Sequence, residues 1–134
     1  MKVFVYGTLK RGFPLFEKGL SGAVYLGDVE TVRPYPMYIA GSFYGPMMLD
    51  KPDEGLKVRG ELFEVGEQRL LVLDDLEGIG KDGSFRSMLD VVPIGGGVET
   101  AALGFMKTEK WLDPVHSECI ADYQDRRFVP PWER

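Results

Sequence analysis

Two short stretches carry residue types able to do chemistry: Tyr6-Gly7-Thr8-Leu9-Lys10-Arg11-Gly12 near the amino end, and Asp74-Asp75-Leu76-Glu77-Gly78 past the middle. The first continues an apolar run, Val3 to Tyr6, and so reads as a strand that ends at once in glycine, a hydroxyl and two cations. Free N–H groups at such a strand end can form a concave anion-binding nest, and glycine lets a ligand approach the main chain closely. Tyr6, Gly7, Thr8 and Leu9 are therefore the candidate binding residues; the alternative is ordinary turn chemistry with Lys10 and Arg11 as a solvated pair. In the second stretch, a helix over Glu67 to Leu76, projected at about 100° per residue, groups Leu70, Val72, Leu73 and Leu76 on one broad apolar arc. Glu77 falls between Leu70 and Leu73 and so points inward, whereas Asp75 points away and Asp74 lies near the edge. Burial and the negative end of the helix dipole both raise the proton affinity of such a carboxylate, which suits it to general acid–base work near neutral pH. Glu77 is the candidate catalytic residue; the alternatives are a side chain turned outward with the helix end, or an ion pair with Arg86.

Other chemistries find no matching pattern. Gly7 and Gly12 have the separation of a nucleoside-triphosphate loop, but Phe13 and Pro14 stand where Lys and Ser or Thr are required. Gly78-Ile79-Gly80-Lys81-Asp82-Gly83 spells the dinucleotide string, yet it follows a helix and precedes a strand, the reverse of the order that mechanism needs. No group of His, Cys and acidic residues has metal-ligand spacing, and there is no Gly-x-Ser-x-Gly elbow. The single cysteine, Cys119, lies three residues from the single histidine, His116, in a polar tail, and reads as a structural thiol. What remains is chemistry run by one carboxylate and backbone dipoles.

The elements that must position these groups follow from periodicity. The 134 residues make one domain, 1–134, large enough for its own core. Sixteen basic against 21 acidic residues give a net charge of −5, which argues against a nucleic-acid or anionic-membrane surface and favours a small-molecule ligand. No secretory signal pattern and no membrane-length apolar run is present, so a cytoplasmic location is expected. Strands are predicted over Ala23 to Val32, Met37 to Ala40, Tyr44 to Leu49, Lys57 to Val65, Ser84 to Ile94 and Glu99 to Thr108, the last two joined through Gly95-Gly96-Gly97. A short helix is expected within Phe13 to Leu20, and Gly78 stands where the longer helix must stop. The sum is an α+β domain, a small mixed β-barrel with one or two flanking helices, one of them laid across an opening.

The stretches Val3 to Gly12, Tyr35-Pro36-Met37-Tyr38-Ile39-Ala40-Gly41, Val58-Arg59-Gly60-Glu61-Leu62-Phe63 and Leu73-Asp74-Asp75-Leu76-Glu77-Gly78 together resemble the γ-glutamylcyclotransferase-like superfamily, and within it the γ-glutamylamine cyclotransferases. The resemblance covers Met1 to Met106 and is loose around Tyr123 to Arg127. It implies a small barrel with flanking helices and a reaction that needs no cofactor: the α-amine of a γ-glutamyl amine attacks its own γ-carbonyl, forming 5-oxoproline and releasing the amine. It further implies that Tyr6, Gly7, Thr8 and Leu9 hold the γ-glutamyl group and that Glu77 is the acid/base. Two departures stand out: the family's Tyr-x-Arg is Ser84-Phe85-Arg86 here, and Phe13-Pro14-Leu15-Phe16 follows the loop where relatives often have Asn. Tyr35 and Tyr123 are further candidates for a pocket wall. A γ-glutamyl deacylase of a specialised pathway, and a noncatalytic small-anion-binding module, are the competing readings.

Overall fold

A computed structural model describes residues 1–134. Strands β1 (Lys2–Val5), β2 (Val24–Thr31), β3 (Met37–Ala40), β4 (Gly45–Met48), β5 (Arg59–Glu64), β6 (Ser84–Pro93) and β7 (Thr100–Lys107) are accompanied by helices α1 (Phe16–Leu20) and α2 (Glu67–Glu77). Five strands close a barrel in the order β1-β5-β2-β6-β7, and β3 pairs with β4 as a separate hairpin. All pairings are antiparallel except the closing one, where β1 runs parallel to β7 with Val3 beside Leu103 and Phe4 beside Gly104. The mixed barrel expected from the strand pattern is thus present, with its two flanking helices.

The position of the helices differs from the expectation. Alternation along β1 divides its side chains between two cores: Phe4 and Tyr6 join Val29, Leu62, Leu89, Val91, Ala102 and Met106, whereas Val3 and Val5 join Leu9, Leu20, Phe63, Leu73 and Phe105. The second set is where α1 and α2 dock, so the helices cover the outer face of the β1, β5 and β7 wall rather than an opening. This explains the unbroken apolar run at Val3 to Val5, since a strand covered on both faces has no polar side. Truncating Phe4, fully buried at the centre of the wall, would cost about 3–5 kcal/mol.

Helix α2 also differs in detail from its projection. Leu73 is fully buried and Leu70 and Leu76 are half-buried, but Val72 is 43% exposed. A short two-helix layer covers a narrower stripe of α2 than a broad arc requires. The helix ends where predicted: Gly78 adopts φ +70° and its N–H reaches the Asp74 and Asp75 carbonyls, a left-handed cap that places Glu77 as the last helical residue. The segment after β7 has only two single 3₁₀ turns, Glu109–Trp111 and Pro131–Glu133. It is nonetheless tied down, with Ala121 and Phe43 carbonyls accepting from Arg59 and Val129 N–H groups at 2.7 and 3.1 Å. No helix is long and apolar enough to cross a membrane.

Candidate active site

The end of β1, the end of α2, the start of β6, the end of β7 and the carboxyl-terminal segment surround one cavity of about 400 Å³. Tyr6, Gly7, Thr8, Leu9 and Glu77 all line it, so the two stretches singled out from the sequence face the same space.

The loop after β1 is braced by its own hydrogen bonds, Lys10 N–H to the Gly7 carbonyl at 3.0 Å and Leu15 N–H to the Thr8 carbonyl at 2.9 Å. The N–H groups of Gly7, Thr8 and Leu9 have no acceptor in the protein, although Thr8 and Leu9 are buried. Buried main-chain donors are rarely left unpaired, and three in succession beside a cavity are a ready receptor for oxygen. Two details depart from the sequence reading. Gly7 is required by the protein's own packing: an added Cβ would lie 2.2 Å from Pro46 Cγ, so the ring fills the space that a side chain would take. The two cations also turn away from the cavity. Lys10 is buried, donating to the Tyr123 carbonyl at 2.8 Å and to Asp122 at 3.1 Å, while Arg11 pairs with Glu61 and lies over the Tyr25 ring. The anion-receptive character of the loop therefore resides in its backbone.

Tyr6 is buried and its hydroxyl donates to the Phe105 carbonyl at 2.5 Å, which ties the start of the loop to β7. Burial, and secondarily the nearby Glu77 charge, push the phenol far above its ordinary range, so it stays a neutral donor. Tyr35 and Tyr123 do not reach the cavity; both lie in the first core, where Tyr123 donates to the Tyr44 carbonyl at 2.9 Å.

Glu77 points inward, its side chain 18% exposed. Burial raises its proton affinity and the Lys107 ammonium partly offsets that rise. The alternative partner, Arg86, instead sits 3.5 Å from Asp74. Lys107 Nζ donates to the Glu77 carbonyl and to Ser84 Oγ, each at 2.8 Å, and stands 3.9 Å from Glu77 Oε2. It neutralises the end of α2 and stabilises the carboxylate by charge, without occupying it with a hydrogen bond. Burial lowers the affinity of Lys107 for its proton, and Glu77 opposes that shift. Neither carboxylate oxygen of Glu77 accepts a hydrogen bond from the protein, which leaves both open to a substrate N–H.

Lys107, Ser84, Lys81, Trp111, Phe128 and Arg134 also line the cavity and were not found from the sequence. The signal for Lys107 was available: on β7 it shares a face with Leu103 and Phe105, the same charge-on-an-apolar-face argument that singled out Glu77. In the Ser84-Phe85-Arg86 stretch, strand alternation sends Ser84 to the cavity and Phe85 against the first core.

A closed mixed barrel in which the Glu77 carboxylate and a strand-end row of backbone donors line one cavity defines a class of α+β domain with a pocket of small-molecule size. Residues 3–124 match the family model described as "Gamma-glutamyl cyclotransferase, AIG2-like", and the chain belongs to that family. The chain is 44% identical over 79 residues to the gamma-glutamylaminecyclotransferase of Bos taurus, covering 56% of this chain and 47% of that protein. For the human protein of the same name the match is again 44% over 79 residues, 56% of this chain and 52% of that one. The chain spans about half the length of the curated relatives it matches. The crystal structure of an AIG2-like protein from Mus musculus superposes with a TM-score of 0.75 at 32% identity, over 93% of this chain and 95% of that one.

Proposed function

We propose that the protein is a γ-glutamylamine cyclotransferase, converting a γ-glutamyl amine to 5-oxoproline and a free amine. The observation that carries this reading is the pairing, in one cavity, of a carboxylate whose proton affinity is raised by burial with three main-chain N–H groups that have no protein acceptor. In this mechanism the Gly7, Thr8 and Leu9 N–H groups hold the carboxylate end of the γ-glutamyl group. Glu77 removes a proton from the α-ammonium, and the freed nitrogen lone pair forms a bond to the γ-carbonyl carbon. The C–N bond to the leaving amine then breaks, with Glu77 delivering its proton to that nitrogen and relaying to it the second proton that the ring nitrogen sheds on becoming an amide, so that the amine departs as an ammonium. Nucleophile and electrophile belong to one molecule, so the protein contributes mainly folding of the substrate into reactive geometry and proton transfer. No cofactor enters these steps, and the substrate is a small molecule met in the cytoplasm. Support comes from the family and from the names of the relatives.

The test is release of 5-oxoproline from a panel of γ-glutamyl amines and γ-glutamyl amino acids. Release from one or more members is expected, and the rate order identifies the leaving group. No release from any member, with 5-oxoproline still raising the thermal midpoint, would move the assignment to a binding module.

A further inference from the structure

Ser84 is 7% exposed, lines the cavity, and accepts a hydrogen bond from Lys107 Nζ at 2.8 Å. A hydroxyl has one donor hydrogen besides its lone pairs, and no acceptor in the protein receives that of Ser84, whose one side-chain bond is the one it accepts from Lys107. The only side chain bonded to it is an ammonium, which cannot accept. The arrangement is built into the ladder: Ser84 and Lys107 are direct partners at the end of the β6–β7 pairing, and the Ser84 N–H is used on the Lys81 carbonyl at 3.2 Å. Lys107 is held in place a second time by the Glu77 carbonyl. Accepting from a cation polarises an O–H bond and makes it a stronger donor. A nearly buried, polarised donor with no internal use therefore lines the cavity that also holds the Glu77 carboxylate.

We propose that Ser84 is a substrate-contacting residue, its O–H donating to the γ-carbonyl oxygen as that oxygen gains charge, with Lys107 the positioning residue that fixes and polarises the hydroxyl. The identity of that oxygen rests on the cyclotransferase reading. Lys107 Nζ is 2.8 Å from Ser84 Oγ and 3.9 Å from Glu77 Oε2, so hydroxyl and carboxylate share one ammonium neighbour in the wall of the same cavity. The loop N–H groups are then left for the carboxylate end of the substrate. Such a donor acts on developing charge, so its loss falls on kcat more than on KM.

The experiment compares wild type, Ser84→Ala, Lys107→Met and the double variant in two assays: 5-oxoproline release with kcat and KM separated, and 5-oxoproline binding by calorimetry. Ser84→Ala is expected to lower kcat by about 100-fold with KM changed less than about threefold. Lys107→Met should lower it as well, and at a pH where Glu77 is ionised in every variant the double variant should fall short of the product of the two losses, since part of the Lys107 effect runs through that hydroxyl and the rest through Glu77. A Ser84→Ala kcat within twofold of wild type overturns the proposal, as does a loss confined to KM or to thermal stability. If wild type itself releases no 5-oxoproline, the cyclotransferase reading fails and the binding assay decides on Ser84. Binding at least fivefold weaker in Ser84→Ala then supports the donor role. Equal binding, or none by wild type, overturns it.

Discussion

The two glycine-terminated stretches that meet at the cavity are built on opposite plans. After β1, the loop offers main-chain N–H groups, while its charged side chains, Lys10 and Arg11, are committed to Asp122, Tyr123 and Glu61 elsewhere. At the end of α2 the main chain is closed, with Gly78 N–H on the Asp74 and Asp75 carbonyls and the Glu77 carbonyl on Lys107, while the side chain of Glu77 is the free group. Under the proposed function this difference gives fixed dipoles the holding of the substrate and a titratable group the moving of its protons. Fixed dipoles cannot change charge with pH and so give constant grip, whereas a half-buried carboxylate can exchange a proton at modest cost.

Breaking the titratable side should have the largest effect. Glu77→Gln is expected to lower 5-oxoproline release by about 1,000-fold, the scale of lost general acid–base catalysis, with the fold intact by circular dichroism. The same substitution should reveal the cost of burying the charge. Because the folded pKa of Glu77 is raised, its favourable contribution to stability is present below the unfolded carboxylate pKa and is lost as pH rises through the folded value. The thermal midpoint of Glu77→Gln relative to wild type should therefore increase from acid to neutral pH, and a difference independent of pH would refute that burial.

Breaking the fixed side acts through packing. Gly7→Ala drives a Cβ to 2.2 Å from Pro46 Cγ, so either the loop or the β4 segment must shift. A stability loss of about 1–3 kcal/mol by denaturant melts is expected, together with a raised KM. Lys107→Met sharpens the comparison, since it removes the one charge that favours ionised Glu77. The acid limb of kcat/KM should move to higher pH, whereas a limb left in place would deny the coupling. Smallest is Gly78→Ala, which puts a Cβ on a residue at φ +70°. About 1 kcal/mol, or roughly 3–5 °C in thermal midpoint, should be lost.

The sequence was most legible where one local rule decided the outcome. The alternation of Lys57 to Val65, the glycines of the 95–97 turn and the stop at Gly78 each specify backbone geometry without reference to distant residues. Glu77 was legible because a helical projection is a local calculation. The helix layer was misplaced because an unbroken apolar run tells that β1 is covered on both faces but not by what. Lys10 and Arg11 looked like ligand-binding cations because their partners lie 50 and more residues away along the chain, at Glu61 and Asp122. Ser84 was not legible for the same reason: its pairing with Lys107 depends on hairpin register, which fixes contacts that composition does not contain, whereas Lys107 itself was open to the apolar-face argument.

The central claim, that Glu77 carries the proton in this cavity, is tested most directly by the pH dependence of kcat/KM for 5-oxoproline release by wild type beside Glu77→Gln. The account predicts that wild-type activity falls with decreasing pH through a pKa above the ordinary glutamate value, and that this limb is absent from the residual activity of Glu77→Gln. A limb that persists unchanged in the variant, or a variant with full activity, would contradict it.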